Sequence, residues 1–167
     1  MLALSRTVTL IASVLTMGLS AGLFYAFSCS VMLGLNQADD RTFVVAMQRI
    51  NVAILNPWFM LSFLGAMAFT ILAGILRIPG GGGGGVLPWI IAAAILYAVV
   101  LGVTGGINVP LNNQLLAAGE PSASTDFAAV RAAFETTWNR WNLVRALSST
   151  AAFGCLTWAL VLHGRAS

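Results

Sequence analysis

No charged residue stands between Arg6 and Asp39, between Arg49 and Arg77, or between Arg77 and Glu120. A helix needs about 20 apolar residues to cross the hydrocarbon of a bilayer, and each of these stretches is long enough. The chain is 59% hydrophobic and 8% charged, against roughly 25% charged in a soluble domain. It reads as an all-α integral membrane protein, a four-helix bundle that forms one domain over residues 1–167. The expected spans are residues 7–35, 57–76, 87–107 and 142–162. The first apolar run continues to Leu35, too long for the core of a cleaved signal, and is read as a retained span.

Small residues recur at every fourth position in the first two spans: Gly18, Gly22, Ala26, Ser30 and Gly34, then Ser62, Ala66, Thr70 and Gly74. Such stripes let helices approach closely. The expectation is that these two spans pack on each other, with a homo-oligomer contact as the alternative use of the same faces. Extra amphipathic segments precede spans two and four. Asp39-Asp40 starts a helix over residues 41–55, with Phe43, Val44, Met47, Ile50 and Ile54 on its apolar face and Arg41, Gln48 and Asn51 toward polar surroundings. Asn56-Pro57 restarts the helix. Ser124 or Thr125 caps the last helix, with Asp126 in its first turn, and Phe127, Val130, Phe134, Trp138 and Trp141 form its apolar stripe. The glycine tract 80–85 is a linker; it lacks the spacing and lysine of a phosphate-binding loop.

Several function classes drop out. All the basic residues are arginine and the net charge is +3, too little for nucleic-acid binding; the bilayer is partner enough for them. Cys29 and Cys155 read as buried small hydrophobes. The single His163 rules out paired-histidine haem ligation, and no metal or other cofactor site is visible. No acid interrupts a span, so a proton-coupled transporter is disfavoured. Arg6, Arg77 and Arg165 flank the side of both termini without acidic companions, which favours cytoplasmic termini in the cell membrane.

Two polar clusters remain. Asn108, Asn112 and Asn113 flank Pro110 at the end of the third span, where they either close a helix or face a ligand. Trp138, Trp141, Asn142 and Arg145 fall at i, i+3, i+4 and i+7, hence on one helical face. Burying the Arg145 guanidinium in lipid costs at least about 2.5–3.5 kcal/mol, so it snorkels, pairs or lines a wet cavity. The tryptophans form an interfacial belt or hold an aromatic ligand. Facing each other, the two clusters would make one site for an anionic or polar ligand, with Asn112, Asn113, Trp138 and Trp141 binding it and Asn108, Asn142 and Arg145 polarising it.

The chain also resembles a known family. Its pattern comprises Gly22 to Ser28, Val31-Met32-x-Gly34-Leu35, Phe43-x-x-x-Met47-Gln48-x-Ile50-Asn51, Asn108-x-Pro110-x-Asn112 and Trp138-x-x-Trp141-Asn142-x-x-Arg145. This is similar to the anthrone oxygenase-like family of small integral membrane proteins, over nearly the whole chain. The resemblance implies a four-span bundle and, for some members, a monooxygenase activity on a hydrophobic aromatic small molecule, converting anthrones to anthraquinones with dioxygen and no cofactor. The alternative is a non-catalytic assembly protein or a binder of lipid or small molecules.

Overall fold

A computed structural model describes residues 2–78, 85–119 and 125–166. Among these residues there is no strand, and four helices are long and apolar enough to cross a membrane. Helix α1 covers Leu2–Leu35, α2 covers Asp40–Ala53 and α3 covers Pro57–Ile75. Helix α4 covers Val86–Ala117 and α5 covers Phe127–Ala166. Helices α1, α3, α4 and α5 form the bundle, α1 and α4 each lying between α3 and α5. The outer surface carries Leu15, Leu19, Leu61, Leu64, Ile95 and Leu147 exposed, a face that suits hydrocarbon. The chain is a multi-pass membrane protein.

Helix starts follow local chemistry. Asp39 caps α2, its carboxylate accepting from the Thr42 amide at 3.0 Å and the Thr42 hydroxyl at 2.6 Å. Asn56 caps α3 by accepting from the Phe59 amide at 3.1 Å, with Pro57 just inside the helix, where its missing N–H is harmless. Asp126 faces the start of α5: its carboxylate accepts from the Ala129 amide at 3.0 Å. The alternative cap Ser124 and the linker glycines 80–84 lie outside the described residues; Gly85 precedes α4 at φ 75°.

The third span does not end at Asn108-Val109-Pro110. The helix widens into a π turn over Thr104–Asn108, where the Val109 amide reaches back to the Thr104 carbonyl, and then runs on to Ala117. A proline normally breaks a helix because it lacks a donor and crowds the preceding turn; here the wide turn stands immediately before it. Gly119, in the left-handed region at φ 77°, follows the end of α4. A second π turn, Phe27–Val31, interrupts α1.

Helices α1 and α3 do pack together, but the first glycine stripe is not the contact. Gly18 lies against Phe153 of α5, while Gly22 and Gly34 have open space where a side chain would be. The α1 face toward α3 carries Thr16, Ser20 and Phe24: the Ser20 hydroxyl donates to the Ser62 carbonyl at 3.1 Å, and the Phe24 and Phe63 rings meet edge-on at 6.2 Å. Tyr97 of α4 completes this junction by donating to the Phe63 carbonyl at 2.9 Å. Ser62, Ala66 and Thr70 of the second stripe are buried as expected. Cys29, contrary to expectation, faces outward, and Cys155 is half-buried.

At the end of the bundle that holds both termini, Arg6 donates to the Leu76 carbonyl at 2.7 Å and His163 lies 2.8 Å from the Thr7 hydroxyl. At the opposite end α2 lies against α5 and the last turns of α4. There Phe43, Val44 and Met47 join Phe27, Leu115, Phe134 and Trp138 in a second core. Gln48 fixes the arrangement by donating to the Leu115 carbonyl at 2.8 Å.

Candidate functional site

All five helices converge on a cavity of about 140 Å³ at the end of the bundle that carries α2. Leu23, Phe24 and Phe27 come from α1, Ile50 and Asn51 from α2, and Phe59 from α3. Thr104, Val109, Asn112, Asn113 and Leu116 come from α4, and Trp138, Asn142 and Arg145 from α5. Ile54 and Leu55, between α2 and α3, complete the wall. The two π turns end or begin beside this wall, at Phe27 and at Thr104. Such one-residue widenings are frequent at functional sites, and here they sit on two different helices that contact α5.

Arg145 is 5% exposed. One Nη donates to the Asn142 amide oxygen at 3.0 Å, and the guanidinium lies 4.6 Å from the Phe24 ring centre and 5.2 Å from that of Trp138. Contact with a ring face stabilises a cation by about 0.5–2 kcal/mol, short of neutralising it. Its Nε has no partner. Both side-chain ion pairs found among the described residues belong to Arg131, with Asp40 and with Glu135.

Asn142 locks this corner to α1. Its amide nitrogen donates to the Phe24 carbonyl at 3.0 Å and to the Ser28 hydroxyl at 2.8 Å, just where α1 widens. Trp138 donates its indole N–H to the Asn112 side-chain oxygen at 2.8 Å, fixing the ring that forms one wall. Asn108 does not line the cavity. It is fully buried behind Trp138 and its amide points at the Trp138 carbonyl at 3.3 Å, bracing α4 against α5. Trp141 is 36% exposed and stands outside. Asn113 is exposed, and with Leu55, Val109 and Leu116, also exposed, it marks the mouth.

Of the seven residues singled out in the sequence, five line the cavity: Asn112, Asn113, Trp138, Asn142 and Arg145. The contributions of α1 and α2 were not anticipated. Asn51 in particular is 7% exposed and faces the cavity, so the polar surroundings it meets lie inside the fold. The repeated asparagine signal was there, but an amphipathic pattern counts every polar residue as outward. Among the described residues, none that lines the cavity carries a carboxylate or an imidazole.

The family model for anthrone oxygenase matches residues 58–155, which take in α3, α4 and α5 through Cys155. The chain belongs to the anthrone oxygenase family. Within that matched stretch lie Phe59, Thr104, Asn112, Trp138, Asn142 and Arg145, whereas the α1 and α2 walls fall before it. No curated protein matches the chain, and no solved structure does.

Proposed function

We propose that the protein is a membrane oxygenase that takes an anthrone-like polycyclic phenol into this cavity and oxidises it with dioxygen, the substrate supplying the electrons. One observation carries the reading: Arg145 is a buried cation that, among the described residues, meets an amide oxygen and two ring faces and no carboxylate. A flat aromatic anion supplies what is missing. Its rings match Phe24, Phe27, Phe59 and Trp138, and its oxygen takes the guanidinium. A cavity of ~150 Å³ holds a benzene ring, so the 140 Å³ here takes one ring and the others extend to the mouth. The rim residues Leu55, Val109 and Leu116 are apolar, which suits a ligand arriving from the bilayer.

The chemistry balances without an added reductant. An anthrone loses a proton from its ring methylene to give an anion whose charge is shared with oxygen, and Arg145 stabilises that charge. The anion is oxidised by dioxygen as a carbon–oxygen bond forms at the methylene carbon. The resulting hydroperoxide loses its remaining C–H proton and breaks its O–O bond, leaving a quinone carbonyl. Dioxygen thus ends as one quinone oxygen and one water. Among the described lining residues there is no carboxylate or imidazole to take the first proton, which leaves to water at the mouth, beside Asn113. On this reading Asn142 and Asn108 position Arg145 and Trp138, and Asn112 holds the Trp138 ring.

The test is oxygen uptake by the purified protein in detergent with anthrone as substrate, with and without a chelator. Uptake that tracks quinone formation and survives chelation is expected; no uptake across several anthrones would sink the proposal. The missing base favours one second reading, a binder of aromatic anions without turnover, which would show anthrone binding and no uptake. We place the termini in the cytoplasm on the strength of Arg6, Arg77 and Arg165, and a C-terminal reporter active only in that compartment checks it.

A further inference from the structure

Four amide side chains line the cavity, and their hydrogen-bonding commitments differ. Asn142 is spent on Phe24, Ser28 and Arg145. Asn112 accepts from Trp138. Asn113 is exposed at the mouth. Asn51 alone is both buried, at 7% exposure, and left with an amide nitrogen that meets no partner. An orphaned buried amide costs about 1–3 kcal/mol, and this one sits on α2, a different wall from Arg145 on α5.

Its position on α2 is well determined. Phe43, Val44 and Met47 anchor the helix in the second core, and Gln48, three residues before Asn51, is bonded to the Leu115 carbonyl. Asn51 therefore cannot swing away to solvent without undocking α2. A neutral amide in such a place reads a neutral oxygen, whether hydroxyl or carbonyl, and a site built to hydrogen-bond such a group discriminates strongly against ligands that lack it.

We propose that Asn51 is the specificity-determining residue of the cavity, so that the preferred ligand carries two oxygens: an ionised one at Arg145 and a second, neutral one, on an outer ring, at Asn51. This rests on the aromatic-anion reading of the same cavity.

The experiment measures binding of anthrone and of a panel of monohydroxyanthrones, substituted in turn at each outer-ring position, to full-length protein in detergent under anaerobic conditions. Wild type is expected to bind at least one panel member about tenfold more tightly than anthrone, a gain appropriate to one satisfied hydrogen bond. Asn51→Leu should erase that gain, so that anthrone and the hydroxyanthrone bind alike; Asn51→Ala repeats the test should the leucine disturb packing. If no hydroxyanthrone gains over anthrone, or if both variants keep the gain, the inference is overturned. Arg145→Gln separates the two layers. Should it leave anthrone binding unchanged, the aromatic-anion reading itself fails; should it weaken anthrone while Asn51 makes no distinction, only the specificity inference fails.

Discussion

Arg131 and Arg145 stand about four turns apart on one helix, and the chain treats them oppositely. Arg131 is saturated: it pairs with Asp40 at 3.0 Å and Glu135 at 2.6 Å, donates to the Ala38 and Asn36 carbonyls, and lies 4.5 Å from the Phe43 ring centre. Those bonds tie α5 to the turn between α1 and α2 and to α2 itself. Arg145 has similar aromatic company and, among the described residues, no anion. A guanidinium whose partners all come from the chain is a clamp. One left with an open edge beside a cavity is held ready for a ligand, and the two roles separate by experiment.

The largest effect is expected at Arg145. Arg145→Gln keeps a donor for Asn142 and removes the charge, so kcat/KM for an anthrone should fall by about 10²–10³-fold, the usual consequence of losing a preorganised group at a developing anion. The melting temperature should stay level or rise, because an unneutralised cation no longer has to be kept out of water. A variant that melts well below wild type would make Arg145 a clamp after all. Arg131→Gln should do the reverse. It strips two carboxylates of their partner, and stability is expected to drop on the order of 1–3 kcal/mol, while kcat/KM per folded molecule stays close to wild type. Chemical denaturation alongside oxygen uptake reads both.

Trp138→Phe probes the boundary between these two behaviours. The ring that faces Arg145 is kept, and the indole bond to Asn112 is lost. Stability should fall by about 0.5–1.5 kcal/mol, and turnover by a few-fold as the wall loosens. A loss of turnover as large as that of Arg145→Gln would mean that the indole N–H itself serves the ligand.

Why one half of this picture was legible in the sequence and the other was not follows from what periodicity records. Charge-free runs reveal spans, and the i, i+4, i+7 placement of Trp138, Asn142 and Arg145 needs only a regular helix, which α5 is. The π turns break that regularity in α1 and α4. The four-residue stripe fails even before the π turn, between Gly18 and Gly22: four residues advance about 40° more than one turn of a 3.6-residue helix, so a run from Gly18 to Gly34 does not keep one face. The third span was expected to end at residue 107, with the asparagines around Pro110 either closing a helix or facing a ligand; a wide turn at Thr104–Asn108 lets the helix pass. Asn51 was placed on the wrong side because a cavity is a polar destination inside the fold. Nothing in local spacing announces it.

The smallest effect belongs to the clamp side, at the start of α2. Asp39 is exposed, and its bonds from the Thr42 hydroxyl and amide hold its carboxyl below the ordinary value of 3.8. A depressed folded-state pKa contributes stability that is present above the unfolded value and is lost as pH falls through the folded one. Asn is as good a helix cap as Asp and does not titrate. Asp39→Asn should therefore match wild type at pH 7, and the two melting temperatures should diverge below about pH 4: wild type loses the contribution of this cap and the variant keeps it. Equal acid sensitivity in both proteins would show that α2 is held by its Phe43, Val44 and Met47 contacts and by Arg131 alone, with the cap contributing nothing measurable to the docking of the helix that carries Asn51.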